Sequence, residues 1–299
     1  MNVVYQTTLK SPISCTGIGL HSGEKAVMTM KPAEAGTGIM FERTDLVNGA
    51  RHFPARFDLV SDTFLCTTMR NASGATLSTV EHVMAALAGC GIDNALVEVS
   101  GPELPIMDGS SEAFVFLIEC AGTEVLDAPR RYVRVLRDVV VEDGDKRACL
   151  RPADGRRFRC EIVYDNARIA RQEAALDLDG DGFKADVARA RTFGLMEEVD
   201  GLRENGLALG GSLDNAVVVS GDKVLNEGGL RYDNEFARHK VLDAVGDLAL
   251  AGAPILGAFD GYCSGHALNN KLLAALFADE DAWCWETGRE DAQRLVATA

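Results

Sequence analysis

The sequence predicts an α+β protein built from two halves of similar layout, and three observations carry that reading. Residues 1–45 and 132–166 have β-type composition broken by glycine- and proline-containing turns. Two long segments, 77–91 and 234–252, place apolar residues at helical spacing, and each holds a histidine. Each half runs strands, helix, strand, helix, with the His-bearing helix ending at an Ala-Gly and leading into an apolar strand. Two α+β layers facing each other satisfy this order, although the halves share too little sequence to be a repeat.

Taken in order, TTLKSPISCTGIGLHSG and EKAVMTMKPA read as strands around a glycine-containing turn. The G-x-G there is not a dinucleotide fingerprint, because no βαβ unit with a helix opening at that point follows. His21 sits in the turn and reads as a loop histidine. RFDLV and TFLCTTM read as further short strands. LSTVEHVMAALAGCG is a helix in which Ser78-x-x-Glu81 has the form of a capping box and glycines 89 and 91 give the stop. Residues 94–100 form a strand, and SEAFVFLIECAG is an amphipathic helix ending near Gly122. Residues 126–131, LDAPRR, read as a link, which sets the domains at 1–126 and 127–299. Three strands follow over 132–166. DLDGDG at 177–182 imitates an EF-hand loop but has Ala188 where the bidentate glutamate would stand, so it reads as an acidic turn. Next come a short ARTFG segment, a helix, the hairpin NAVVVSGDKVLNEGGL, the helix at 234–252, a strand at 255–262, a final helix from His266 and a loose tail.

Composition narrows the function classes. The chain has 299 residues, 47% hydrophobic and 25% charged, which is globular with ample core material. A net charge of −15 argues against nucleic acid or an anionic membrane held by bulk electrostatics. No apolar run approaches about 18 residues, so no membrane span is expected. The N-terminus lacks a basic segment followed by an apolar one, so it does not read as a secretory signal. Eight cysteines without a C-x-x-C pair read as thiols of a reducing cytosol, not a zinc site. Any metal must use carboxylates and the five histidines.

On the helix at 234–252, His239, Asp243 and Asp247 fall on one stripe, with Val241, Val245 and Leu248 nearly opposite. His-x-x-x-Asp on one face suits either a buried hydrogen bond or two ligands to one metal. Glu81 and His82 diverge by about 100° but share one helix end, so Glu81 is either a cap or a carboxylate beside a metal held by His82.

Seven segments bring specificity: GIGLHSG, STVEHVMAALAGCGIDN, ELPIMDGSS, RARTFG, GGSLDNAVVV, VLNEGGLRYDNEFARHKVLDAVGDL and SGHALNNKLL. Together they resemble the UDP-3-O-acyl-N-acetylglucosamine deacetylase family over essentially the whole chain. The resemblance implies two α+β domains of similar topology, helices packed between two β-sheets, a small insert in each domain and a site between them. It implies Zn2+ on His82, His239 and Asp243, with Fe2+ also suited to that ligand set. It further implies Glu81 as general base, Lys240 and Thr192 beside the oxyanion, and His266 as acid oriented by Asp247. Phe193 would flank the sugar, and Lys146 would lie near the nucleotide phosphates. The insert at about 176–209 would form an apolar acyl passage with Leu195, Val199, Ala208 and Leu213. The partner so implied is an acylated UDP-sugar, met by a cytoplasmic monomer near the inner membrane in lipid A synthesis of a Gram-negative bacterium. The rival readings are a metal hydrolase for another N-acyl sugar and a non-catalytic binding protein, the latter predicting a lost ligand or base.

Overall fold

The structure, a computed structural model, describes residues 2–47 and 50–290. Among these, five α-helices form: α1 (Glu81–Gly89), α2 (Glu112–Ala121), α3 (Met196–Glu204), α4 (Glu235–Ala249) and α5 (His266–Ala278). The first half holds a five-stranded sheet ordered Ile13–Ile18, Lys25–Pro32, Ala95–Val99, Ile39–Arg43, His52–Pro54. The second half is organised on Ile255–Tyr262, which pairs antiparallel with Lys146–Arg151 on one edge. Its other edge takes two parallel partners in succession, Arg131–Val135 and then Arg156–Val163. The α+β class is as the sequence predicts.

Helices lie between the sheets. α2 packs on Ile13–Ile18 of the first sheet, and α1 packs on α2 and α4. α4 rests on Arg156–Val163 and Arg171–Asp177 of the second sheet, and α5 on Val139–Asp143. The buried apolar side chains form one cluster running from Leu9 to Ala282. Because α4 has layers on both sides, every residue from Val241 to Leu248 is buried, not only the expected apolar stripe. α1 and α4 cross without a side chain at Gly246, where an added Cβ would come within 2.0 Å of the Glu81 carbonyl oxygen. No helix of the described residues is long and apolar enough to cross a membrane.

Four local expectations are corrected. The first long helix begins at Glu81, not at 77, and there is no capping box: Ser78 is bridged to Glu103, and its Oγ accepts from Thr68 Oγ1. Thr79 then turns at φ 59°, which re-aims the chain into α1. LDAPRR is strand, not link, because Thr123–Pro129 pairs with Tyr5–Leu9. Phe57–Leu59 of RFDLV is a single 3₁₀ turn. The tail forms two strands, Trp283–Thr287 paired with Arg131–Val135 and Arg289–Glu290 paired with Asn2–Val3; residues 291–299 lie outside the described residues.

Candidate metal centre

The crossing of α1 and α4 brings His82, His239 and Asp243 together, all at most 4% exposed. Asp243 Oδ1 lies 3.3 Å from His239 Nε2 and 3.7 Å from His82 Nε2. Ligands about 2.0–2.1 Å from a tetrahedral ion sit about 3.3 Å apart, so these separations fit one metal. Asp243 Oδ1 is buried and accepts no hydrogen bond, while Oδ2 accepts from Lys240 Nζ at 2.6 Å. An oxygen left bare beside two imidazoles is a costly arrangement unless a cation completes it. The Ala190 carbonyl accepts from His239 Nδ1 at 3.0 Å, which fixes that proton and leaves the Nε2 lone pair toward Asp243.

The electrostatics agree with a ligand set. Burial, with His239 adding, pushes His82 down to about 3, and burial likewise lowers His239, so both rings are neutral. Burial alone would raise Asp243, but His239, Lys240, His266 and His82 hold it below the usual carboxylate range. Burial would lower Lys240, but Asp243, then Tyr164 and Asp247, together raise it, so it stays charged.

Glu81, immediately before His82, has its carboxylate oriented by the Thr67 backbone N–H at 3.0 Å. Burial, reinforced by Asp247 and Asp243 and opposed by His266, pushes it up to about 7. Asp247 is outside the candidate ligand group: its Oδ2 accepts from His266 Nδ1 at 2.9 Å and from Asn269 Nδ2 at 2.8 Å, and its Oδ1 from Thr67 Oγ1 at 2.6 Å. Burial would lower His266, but Asp247, then Asp243 and Glu81, hold it up to about 9, so it is an imidazolium at neutral pH. A small cavity of about 20 Å³ joins Glu81, His82, Thr192, His239, Lys240, Asp243 and His266. Phe193 borders this group, with its ring 6.2 Å from that of His239 and 5.5 Å from Lys240 Nζ.

Other expected residues stand apart. Lys146 is exposed at the start of its strand. Leu195, Val199, Ala208 and Leu213 do not line the small cavity. They belong to the segment whose Met196, Leu209, Leu213 and Leu225 leave 41–51% of their surface exposed. That segment reaches the site by docking on the GLHSG turn: the Leu209 and Gly210 amides donate to the carbonyls of His21 and Leu20.

Sequence reading missed several positioning groups. Thr67 links Glu81 and Asp247. Glu103 is buried and accepts from the His21 and Ser22 amides and from Thr79 Oγ1, tying the turn to the start of α1. A lone acid inside the apolar ELPIM stretch was the available signal. His21 sits in the turn as expected, but it is buried on the same cavity with both ring nitrogens unpartnered. Burial lowers its pKa, with Glu103 opposing.

Comparison with known proteins agrees with this geometry. The family model described as LpxC, UDP-3-O-acyl N-acetylglycosamine deacetylase, matches residues 6–278. A UDP-3-O-acyl-N-acetylglucosamine deacetylase of Vibrio cholerae serotype O1 is 49% identical over 299 residues, covering 99% of this chain and 98% of its own length. The enzyme of the same name from Aliivibrio fischeri is 48% identical over 297 residues, covering 99% and 97%. With a match of this extent, the chain belongs to the UDP-3-O-acyl N-acetylglycosamine deacetylase family.

Proposed function

We propose that the chain hydrolyses the N-acetyl group of UDP-3-O-(3-hydroxyacyl)-N-acetylglucosamine, releasing acetate in the committed step of lipid A synthesis. The observation that carries this reading is the bare Asp243 Oδ1 facing two neutral imidazoles, with Glu81 on one side and the His266–Asp247 pair on the other. His82, His239 and Asp243 would hold Zn2+, or Fe2+ in its place, in two-His, one-carboxylate form. A metal bound there supplies Lewis acidity, polarising the acetyl carbonyl and making water more acidic.

The chain's own residues divide the rest. Glu81 takes a proton from the water whose oxygen attacks the acetyl carbon. Lys240 and the Thr192 hydroxyl stabilise the oxygen that becomes negative. The C–N bond then breaks as the His266 imidazolium gives its proton to the sugar nitrogen, leaving acetate and a free amine. Asp247 holds the His266 ring and its charge. Phe193 flanks the sugar, Lys146 meets the nucleotide phosphates, and the segment bearing Leu195, Val199, Ala208 and Leu213 receives the acyl chain. What supports the last role is the apolar surface that segment leaves exposed, together with its docking on the turn that carries His21. The reading includes a monomer near the inner membrane and a cytoplasmic location, the last supported by eight cysteines that are all free thiols.

The test is acetate release from acylated and non-acylated UDP-sugar, before and after chelation. The proposal expects turnover of the acylated substrate, loss on chelation and recovery with stoichiometric zinc. Equal activity in rigorously metal-free protein would overturn it, and equal turnover of both sugars would favour a hydrolase of another N-acyl sugar.

A further inference from the structure

A second cavity, of about 370 Å³, opens at the other ends of the same two helices and shares no lining residue with the metal centre. Its floor is apolar and buried: Met84 and Leu87 from α1, Val245 and Leu248 from α4, Phe158 from the second sheet and Leu178 just past its strand Arg171–Asp177. Its lining charge runs against the rest of the molecule. Arg56, Arg130, Arg131 and Arg156 border it with a single carboxylate, Asp93, on a chain of net charge −15.

Three of these arginines are already neutralised, Arg56 by Asp58, Arg130 by Asp93 and Arg156 by Asp179. Arg131 is not: among the described residues no carboxylate lies within ion-pair distance of it. Its guanidinium instead lies 4.0 Å over the Trp285 ring, which also lines the cavity. Stacking of this kind occupies the face of the guanidinium and leaves its edge of N–H donors available. A single free fork suits one planar carboxylate better than a phosphate dianion, which would call for a second unpaired cation.

We propose that this cavity is a binding site for an amphiphilic monocarboxylate, its aliphatic body lying between the α1 and α4 ends and its carboxylate on Arg131. At about 30 Å³ per water-sized group, the space takes about a dozen heavy atoms, the size of decanoate. The site is separate from the deacetylase reading and stands or falls without it.

The chain carries only two tryptophans, Trp285 on the cavity and Trp283 with its ring 5.4 Å from it, so intrinsic emission reports this site and not the metal centre. Full-length protein is titrated with decanoate below its micelle concentration, following tryptophan emission, with calorimetry for stoichiometry. The expected result is saturable binding of one equivalent. Arg131→Gln should weaken it about tenfold or more, as loss of a charge-assisted hydrogen bond does. Decanol should bind wild type no better than it binds that variant. Ala88→Leu narrows the cavity without touching Arg131 and should also weaken decanoate, with thermal melts checking that both variants fold. Emission that drifts without saturating, or equal affinity in wild type and both variants, would overturn the proposal. Displacement of decanoate by the acylated UDP-sugar would assign it to the acyl passage and overturn it too.

Discussion

Two carboxylates four residues apart on α4 receive opposite tasks from their neighbours. Asp243 keeps one oxygen bare between two imidazoles, whereas both oxygens of Asp247 are consumed by Thr67, His266 and Asn269. Asp243→Ala should therefore lose bound metal on dialysis while Asp247→Ala retains it, a contrast read by metal analysis; equal retention would remove Asp243 from the ligand set. The pH profile separates the roles further. In the proposed mechanism His266 must be protonated to release the amine, and it is held up to about 9 against its burial, by Asp247 first and by Asp243 and Glu81 after it. Activity should thus fall as pH rises through about 9, giving the alkaline limb of a profile whose limbs belong to coupled groups. Asp247→Asn removes the main support, burial then dominates, and that limb should move to lower pH. An unmoved limb would point to Lys240 as the proton source. The candidate ligands and the proposed acid were legible as helical spacing and family motifs. Thr67 and Asn269 were not, since their value exists only after segments far apart in sequence meet.

At the scale of elements, the α1–α4 crossing decides whether the site exists. Gly246 lets the two backbones touch beside Glu81, so Gly246→Ala must push the helices apart or break the crossing. Overpacking of this kind costs about 1–3 kcal/mol, to be seen as a lowered unfolding temperature. Activity should fall further than stability accounts for, because Glu81 and Asp243 ride on different helices. An unchanged melting temperature and rate would show that the contact is slack. Here the sequence was readable in part. Periodicity located α4 well, but the capping-box pattern at Ser78 misled, because strand bridging took Ser78 and a positive-φ Thr79 made the turn instead. Local pattern cannot weigh a hydrogen bond offered by a partner such as Glu103, which arrives from a different segment.

At the scale of the molecule, the segment that docks on the GLHSG turn joins the second half's apolar surface to the first half's site. If it receives the acyl chain, removing the 3-O-acyl group should cost several kcal/mol in kcat/KM, at about 0.8 kcal/mol per buried CH₂ before losses. Measuring both substrates at one zinc concentration gives that number, and a ratio near unity would exclude the passage. The order of layers was legible from the repeated strand–helix run, while the disguised strand at Thr123–Pro129 was not, because its proline and charges resemble a linker. That strand's partner, Tyr5–Leu9, belongs to a chain start whose next pairing is later still: Val3 aligns with Arg289 and Asn2 with Glu290. On the ribosome, at about 5–20 residues per second, the first residues wait roughly 15 to 60 s for those partners. His266 and Asp247 also emerge long after Glu81, so a nascent chain holds half a reaction centre and an open sheet edge for most of its synthesis. On the proposed mechanism, the full set of site residues is therefore present only once His266 has emerged.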